Sequence, residues 1–546
     1  MKKFKFRSVV QLANMKLSVK SAAIVLASST IVSALLGLFR DRLLNSYYLG
    51  TYPTGIDAYT AAFTVPDFMY FILTSGALAV SFIPVFNQRL MAGNKKSAWE
   101  LSSSLLNLLA LVSLVVSISI MIFAEPLIRY VVSPGLDESG MILAINMTRV
   151  LAMNPFLFSI ATVLTSIQQA TRRFVFYAFA PTIYNIGIII GITWFTGGIN
   201  IFGLQLFEGG IMGVAIGVIL GGIMQLVVSI IGLFGLGFDY DFKIHWKNQG
   251  FRTILKLLPP RSLDQGIDYI NSIVSTNLSS RMGAGAVRSF DQATSLQSMP
   301  VTLIGVAIST AFFPKLTEEI GNGNKREFYD TFRQALRTIS WIALPISIIA
   351  FFGRGYVTSF ISNIGNNDSN GTIASVLGTL CVAIFARSVF HIASRGFYAY
   401  QDTKTPFRVS IIAIGLTILF SVWFYFMGWG VDGLGWAQSL GAIIEIAILL
   451  SILQKKSDGE LFNRAFFKAF IRMFIATFIC GCVAFSMTKF VPLMATDTSL
   501  VITIPKFILI TAVSLTTYLI ASYFLNIEEA QPILDYIKKL LFRNVK

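Results

Sequence analysis

Gly76-Ala-Leu-Ala-Val-Ser-Phe-Ile-Pro84 runs on to Asn94-Lys95-Lys96, and Gly305-Val-Ala-Ile-Ser-Thr-Ala-Phe-Phe-Pro314 runs on to Asn324-Lys325-Arg326. Each proline stands ten residues before its Asn, and the two prolines are 230 residues apart. A second echo lies at nearly the same offset: Gln169-Ala-Thr-Arg172 against Gln401-Asp-Thr-Lys404, 232 apart, each following one apolar stretch and opening another. Two matches at one spacing indicate an internal duplication, a common way of building transporter folds. The offset spans six apolar stretches, an even number, so both copies share one orientation in a membrane.

The stretches around the repeat are long enough to cross one. A spanning helix takes roughly 20 mostly apolar residues, and about fourteen such stretches can be placed, from 18–45 and 56–86 through 250–281 to 500–525. Hydrophobic residues are 55% of the 546, and charged residues only 13%. A water-soluble fold would carry roughly 25% charged residues, and would leave large apolar patches uncovered with this composition. The net charge of +16 sits in short clusters between apolar runs, such as Arg89 with Lys95 and Lys96, Arg172 with Arg173, and Lys455 with Lys456. Alternate connections, such as NSYYLGTYPTG, carry almost none. Basic clusters of this kind orient a membrane protein rather than bind nucleic acid, and they predict an even helix count with both termini cytoplasmic.

The expected fold class is an all-α polytopic membrane protein of about fourteen helices, with two parallel-repeat lobes of six and two helices added. The corresponding segments are a cytoplasmic start at 1–17, an N-lobe at 18–240, a C-lobe at 241–457, helices 13 and 14 at 458–526, and a basic cytoplasmic tail at 527–546. Prolines 66, 84, 155, 181, 259, 260, 300 and 314 fall inside apolar runs and read as bends.

Cys381, Cys480 and Cys482 lie in apolar stretches, so no disulfide framework or paired CxxC metal site can be drawn. Two histidines cannot build a histidine-rich metal centre, and no phosphate-binding glycine loop is present. No cofactor is expected. The informative residues are polar ones inside the spans, where a charge costs about 2.5–3.5 kcal/mol at the bilayer centre and usually faces a cavity or a partner. On helix 7, Arg261, Asp264, Gln265, Asp268 and the serines 272, 275 and 279 recur at helical spacing. That face lines a cavity, or else Arg261 and Asp264 pair at i and i+3 and the serines pack. Helix 1 ends in Arg40-Asp41-Arg42, helix 2 carries Asp57 and Asp67, and Arg281, Arg288 and Asp291 flank the turn after helix 7, read as solvated loop charges. Arg387, His391 and Arg395 share a face, while Arg149 and Glu445 stand singly.

The sequence resembles the MurJ (MviN) lipid II flippases of the multidrug/oligosaccharidyl-lipid/polysaccharide exporter superfamily. The matching runs are GLFRDRLLNSYYLG with Asp57-Ala58, VPDF with SGALAVSFIPVF, FAPTIYN at 179–185 and GFYAYQDTKTP at 396–406. The resemblance implies two lobes around a cationic cavity and a hydrophobic groove, made with helices 13 and 14, for a lipid tail. It puts the family's Arg-Asp on Arg40 and Asp41 and its helix 2 acid on Asp57. The family's other cationic positions align with Ala34, Tyr70 and Ser295, and a further acid with Ser75. The candidate substrate-binding set is therefore Arg40, Asp41, Asp57, Arg261, Asp264, Gln265, Asp268, Asn271, Arg281 and Arg288.

The resemblance implies outward transport of the undecaprenyl-pyrophosphate-linked peptidoglycan precursor by a monomer in the bacterial plasma membrane. Membrane lipids are its surroundings and the membrane potential its driving force. Helix 11 carries no carboxylate for a sodium ion. The alternatives are a flippase for another polyprenyl-linked glycan, or a drug exporter of the same superfamily. An enzyme is disfavoured by the short outer loops, and a scaffold without transport remains a further class.

Overall fold

The computed structural model describes residues 19–74, 77–201, 204–362, 367–457, 459–494, 496–497, 499–533 and 535. The chain divides into two compact units, 1–287 and 288–546.

In the first unit, α1 (Val19–Tyr48) is followed by α2 (Pro53–Ala62), α3 (Thr64–Thr74) and α4 (Ala77–Met91), residues 75–76 between the last two lying outside the described residues. Then come α5 (Lys95–Pro126) with a π-helical turn at Leu127–Val132, α6 (Glu138–Leu151), α7 (Asn154–Ala170), α8 (Phe174–Thr193), α9 (Met212–Ile231) and α10 (Gln249–Ser280). A small antiparallel hairpin, β1 (Ile199–Ile201) with β2 (Leu204–Phe207), joins α8 to α9. The hairpin carries no alternating pattern long enough to stand out from the apolar runs beside it.

Two prolines do more than bend their helices. A proline ring clashes with the carbonyl four residues back and removes a hydrogen bond. Four residues before Pro66 is Ala62, the last residue of α2; four before Pro155 is Leu151, the last of α6. The stretch expected as one helix at 56–86 is thus interrupted at Phe63, whereas Pro84 and Pro181 stay inside unbroken helices.

Within this unit α8 and α9 touch backbone to backbone. A Cβ on Gly187 would lie 2.2 Å from the Gly221 Cα, and one on Gly191 would lie 2.5 Å from the Gly217 Cα. Close approach of this kind replaces hydrophobic driving force between helices in lipid. Gly187 and Gly191, like Gly213, Gly217 and Gly221, are four apart, which puts each set on one helix face.

The second unit contains α11 (Ala286–Val301, which starts just before the division), a π-helical turn (Thr302–Val306), α12 (Ala307–Gly321), α13 (Lys325–Phe352) and α14 (Arg354–Ser359). It continues through α15 (Asn367–Ala399), α16 (Lys404–Phe426), α17 (Gly430–Lys456), α18 (Arg464–Phe490) and α19 (Leu500–Phe524). Its core joins Phe328, Phe332 and Leu336 of α13 to Val389, Ala393 and Phe397 of α15. Outside that core, Trp341 of α13 donates to Ser522 Oγ and Tyr518 donates to the Trp341 carbonyl, fixing α19 against α13.

Twelve of the described helical stretches are long and apolar enough to cross a membrane. The other two expected stretches are the broken 53–91 segment and α10, which is 32 residues long but interrupted by charges and two prolines. Phe478, Phe490 and Val501 are exposed outward, as lipid-facing residues should be.

The duplication is visible in backbone geometry. Gly93 has φ +75° and Gly323 φ +77°. Asn94 (φ −90°, ψ 66°) and Asn324 (φ −83°, ψ 69°) then start α5 and α13. Asn94 N–H donates to Arg89 O at 3.0 Å and Asn324 N–H to Glu319 O at 2.9 Å. At the second echo the backbone match falls in a different register from the letters: Arg172 (φ +60°) and Gln401 (φ +58°), 229 apart rather than 232, are non-glycine residues in the left-handed region, which such residues rarely enter.

Candidate functional site

Arg40 lies near the end of α1, and its guanidinium folds back onto the next residue. Its Nε and Nη2 donate to Asp41 Oδ1 at 3.2 and 3.0 Å, and Nη2 also reaches Oδ2 at 3.1 Å. Neighbours at i and i+1 do not normally face each other on a helix, so a third residue is needed to hold the pair. Asn185 of α8 supplies it. Its Oδ1 accepts from Arg40 Nη1 at 3.0 Å while its Nδ2 donates to the Ser33 carbonyl and hydroxyl, each at 3.3 Å. The Arg40 and Asp41 side chains remain 25% and 15% exposed. A guanidinium has five N–H donors, so among the described residues Nη1 retains one without a partner. Tyr59 and Tyr184 share the field of this cation, and Asp67 acts on Tyr184.

Asn185 ends the FAPTIYN run that carried the family resemblance, yet it was absent from the expected site. An uncharged residue within an apolar helix gave no composition signal; only the motif marked it.

The remaining expected residues are spread through the structure. Asp57 is 1% exposed, and its Oδ2 accepts the Gly285 N–H at 2.6 Å. It thereby fastens α2 to the turn after α10, where Gly285 has φ +87°. Arg281 ends α10 on the exposed side of the same turn. Arg288, in the second unit, is 4% exposed and donates to Asp291 Oδ2 at 3.4 Å; it is a buried cation with a carboxylate partner, not a solvated loop charge.

On α10 the side chains of Arg261, Asp264, Gln265 and Asp268 lie outside the described residues. One turn further on, Asn271 Oδ1 and Ser275 Oγ are buried without a hydrogen-bond partner among the described residues. A buried acceptor without a donor costs about 1–3 kcal/mol, so each of these atoms calls for a donor from a ligand, water or a side chain outside the described residues.

Tyr70, aligned with a family cation, is fixed in an aromatic seam. Its hydroxyl is 3.1 Å from Thr162 Oγ1, its ring meets Phe158 edge-on at 5.4 Å, and Phe158 meets Tyr184 at 5.2 Å.

The second unit contributes a different surface. Ile348 and Phe351 of α13, Val382 and Phe385 of α15, and Ile471, Phe474 and Phe478 of α18 line an open apolar groove of about 790 Å³. α18, the thirteenth expected helix, forms one wall, while α19 packs elsewhere and does not line it. On the same unit Arg387 Nη2 donates to Gln438 at 2.7 Å. Arg395 donates to Ser309 and Thr310 at 2.9 and 2.7 Å. The single intramembrane charges also have neighbours: Arg149 Nη1 donates to Asn146 at 3.4 Å, and Ser410 donates to Glu445 at 2.7 Å.

A repeated helical frame with a held cation in one unit and an apolar groove in the other defines a membrane transporter, and solved structures share the frame. A structure described as lipid II flippase MurJ in an inward closed conformation matches with a TM-score of 0.71 at 22% identity, covering 92% of this chain and 98% of that one. An inward-facing multidrug resistance MATE family transporter of the MOP superfamily matches with a TM-score of 0.66 at 18% identity, covering 80% and 98%. The chain belongs to the MurJ family: the family model described as "Lipid II flippase MurJ" matches residues 45–505. Among relatives, the lipid II flippase MurJ of Burkholderia cenocepacia is 24% identical over 80% of this chain and 84% of its own length. The probable lipid II flippase MurJ of Borreliella burgdorferi is 25% identical over 80% and 83%.

Proposed function

We propose that this protein carries lipid II from the inner to the outer leaflet of the bacterial plasma membrane as a monomer, by alternating access. The observation that carries the reading is the Arg40 guanidinium, oriented by Asp41 and Asn185 with one N–H left without a partner among the described residues. A planar cation suits a pyrophosphate oxygen, and partial neutralisation by Asp41 keeps the anion from being trapped. Asn271 and Ser275, whose side-chain oxygens have no partner among the described residues, offer polar atoms to sugar or peptide, and the α13–α15–α18 groove offers a surface to the polyprenyl chain. With both termini cytoplasmic, an inside-negative potential favours outward passage of an anionic headgroup, by about 2.3 kcal/mol per charge per 100 mV.

The fixed aromatic role of Tyr70 favours keeping one second reading, a flippase for a related polyprenyl-linked glycan. One experiment separates the two. The chain is expressed in bacteria depleted of their own lipid II flippase, and outer-leaflet lipid II is assayed with an added headgroup-cleaving enzyme. Restored growth and cleavage support lipid II. Correctly inserted protein without cleavage, in a host where a close relative restores it, sinks that substrate and leaves the other glycan.

A further inference from the structure

Outside the transport site, a pocket of about 790 Å³ opens in the first unit between the α4–α5 turn and the start of α10. We propose that it binds a net-anionic phosphate group at the membrane surface. Arg89, Lys96, His245 and Lys247 line it against a single carboxylate, Glu100.

Arg89 is already oriented there. Its Nη1 donates to Ser97 Oγ, and its Nε is buried without a partner among the described residues. Asn248 Nδ2 donates to the Ser97 carbonyl at 3.1 Å, which draws the starts of α5 and α10 to the same rim. Each start adds about half a positive charge. His245 is fixed by Asp241 Oδ2 at 2.8 Å. Trp246 and Ile244 form an apolar edge, the kind of margin that sits at the lipid–water boundary. Basic pockets among membrane helices recognise acidic lipid headgroups by this chemistry.

The internal duplication supplies a comparison. The position of Arg89 is taken by Glu319 in the second copy, and that of Ser97 by Glu327, at the common offset of 230. The backbone turn is the same, but Asn324 Nδ2 donates to Glu327 Oε2 at 3.1 Å, closing that copy on its own carboxylate. The turn therefore does not itself require basic residues.

The test uses the full-length protein in an uncharged detergent, with Trp246 fluorescence as the signal and Trp246→Phe to identify it. Dihexanoyl phosphatidylglycerol, dihexanoyl phosphatidylcholine and inorganic phosphate are titrated separately. Phosphatidylglycerol should saturate the signal at concentrations where the zwitterionic lipid does not. Lys96 and Lys247 are exposed, so Lys96→Gln with Lys247→Gln leaves the fold intact; it should weaken binding about fivefold for each lysine lost. Tighter binding of the lipid than of inorganic phosphate identifies a lipid headgroup, and equal binding a soluble phosphate. Equal response to both lipids, no response to either anion, or unchanged affinity in the double variant would overturn the proposal.

Discussion

Asn185 joins two helices through opposite ends of one amide: its oxygen accepts from Arg40 Nη1 at 3.0 Å, and its nitrogen donates to Ser33 on the same helix as Arg40. The cation is thus positioned by a neighbouring helix as well as by its own.

Replacing Arg40 with Ala should abolish lipid II exposure at the outer leaflet while the protein still inserts. Arg40→Lys should recover little, because an ammonium cannot bond Asp41 through two nitrogens and Asn185 through a third. Normal headgroup cleavage in cells relying on R40A would remove Arg40 from the mechanism.

Asn185→Leu keeps the size and removes both bonds. The guanidinium donor and the Ser33 groups lose their partner, so the variant should be less stable by about 1–3 kcal/mol and transport more slowly than Asn185→Gln. Thermal unfolding of the purified variants, beside the same cleavage assay, tests both effects.

The groove makes a separate demand. Val382 and Ile475 line it and are exposed at 39% and 45%, so Trp at both positions fills it without disturbing the core. Transport should fall several-fold with an unchanged unfolding temperature. Undiminished transport would show that the groove does not hold the chain of the substrate.

Between α18 and α19, Lys506 Nζ donates to Asp497 Oδ2 at 2.6 Å, and the Met494 N–H adds a second bond at 2.9 Å. These bonds hold the carboxyl below its ordinary value, the lysine contributing most. A depressed carboxyl stabilises the folded state above its unfolded pKa of about 3.9, and that contribution disappears as pH falls through the lower folded value. Asp497→Asn should therefore unfold at a lower temperature than the unaltered protein at pH 6, with the gap narrowing below pH 4. A gap that widened in acid would contradict the pairing.

Close packing of α8 on α9 predicts a sharp contrast between glycines. At Gly187 an added Cβ would strike the Gly221 backbone, whereas at Gly197 it would meet nothing within 4 Å. Gly187→Ala should cost about 1–3 kcal/mol through overpacking, and Gly197→Ala should leave the unfolding temperature unchanged.

The repeat was legible because a turn that needs glycine and asparagine in fixed conformations constrains its letters: Gly93-Asn94 and Gly323-Asn324 share sequence and backbone geometry. The spans were legible because lipid demands apolar side chains wherever a helix faces it. Breaks before Pro66 and Pro155 were not, since proline sets a local clash while neighbouring helices decide whether the chain bends or stops. The Arg40–Asp41 pair at the centre of the candidate site was legible, since charge is conspicuous among apolar residues. Asp57 also drew attention by its charge, but the Gly285 N–H it accepts belongs to a tight backbone turn. Asn185 and the apolar groove depend on which helices meet, which a single sequence records only indirectly.

The glycine contact between α8 and α9 has a mechanical consequence. Asn185 stands two residues before Gly187, where the two helices are meshed without intervening side chains. Neither helix can slide along the other by a fraction of a turn without a backbone collision. Displacement of Arg40 that pulls on Asn185 is therefore geared to α9: the polar site and both glycine helices shift as one stiff lever, with little slack to absorb the stroke.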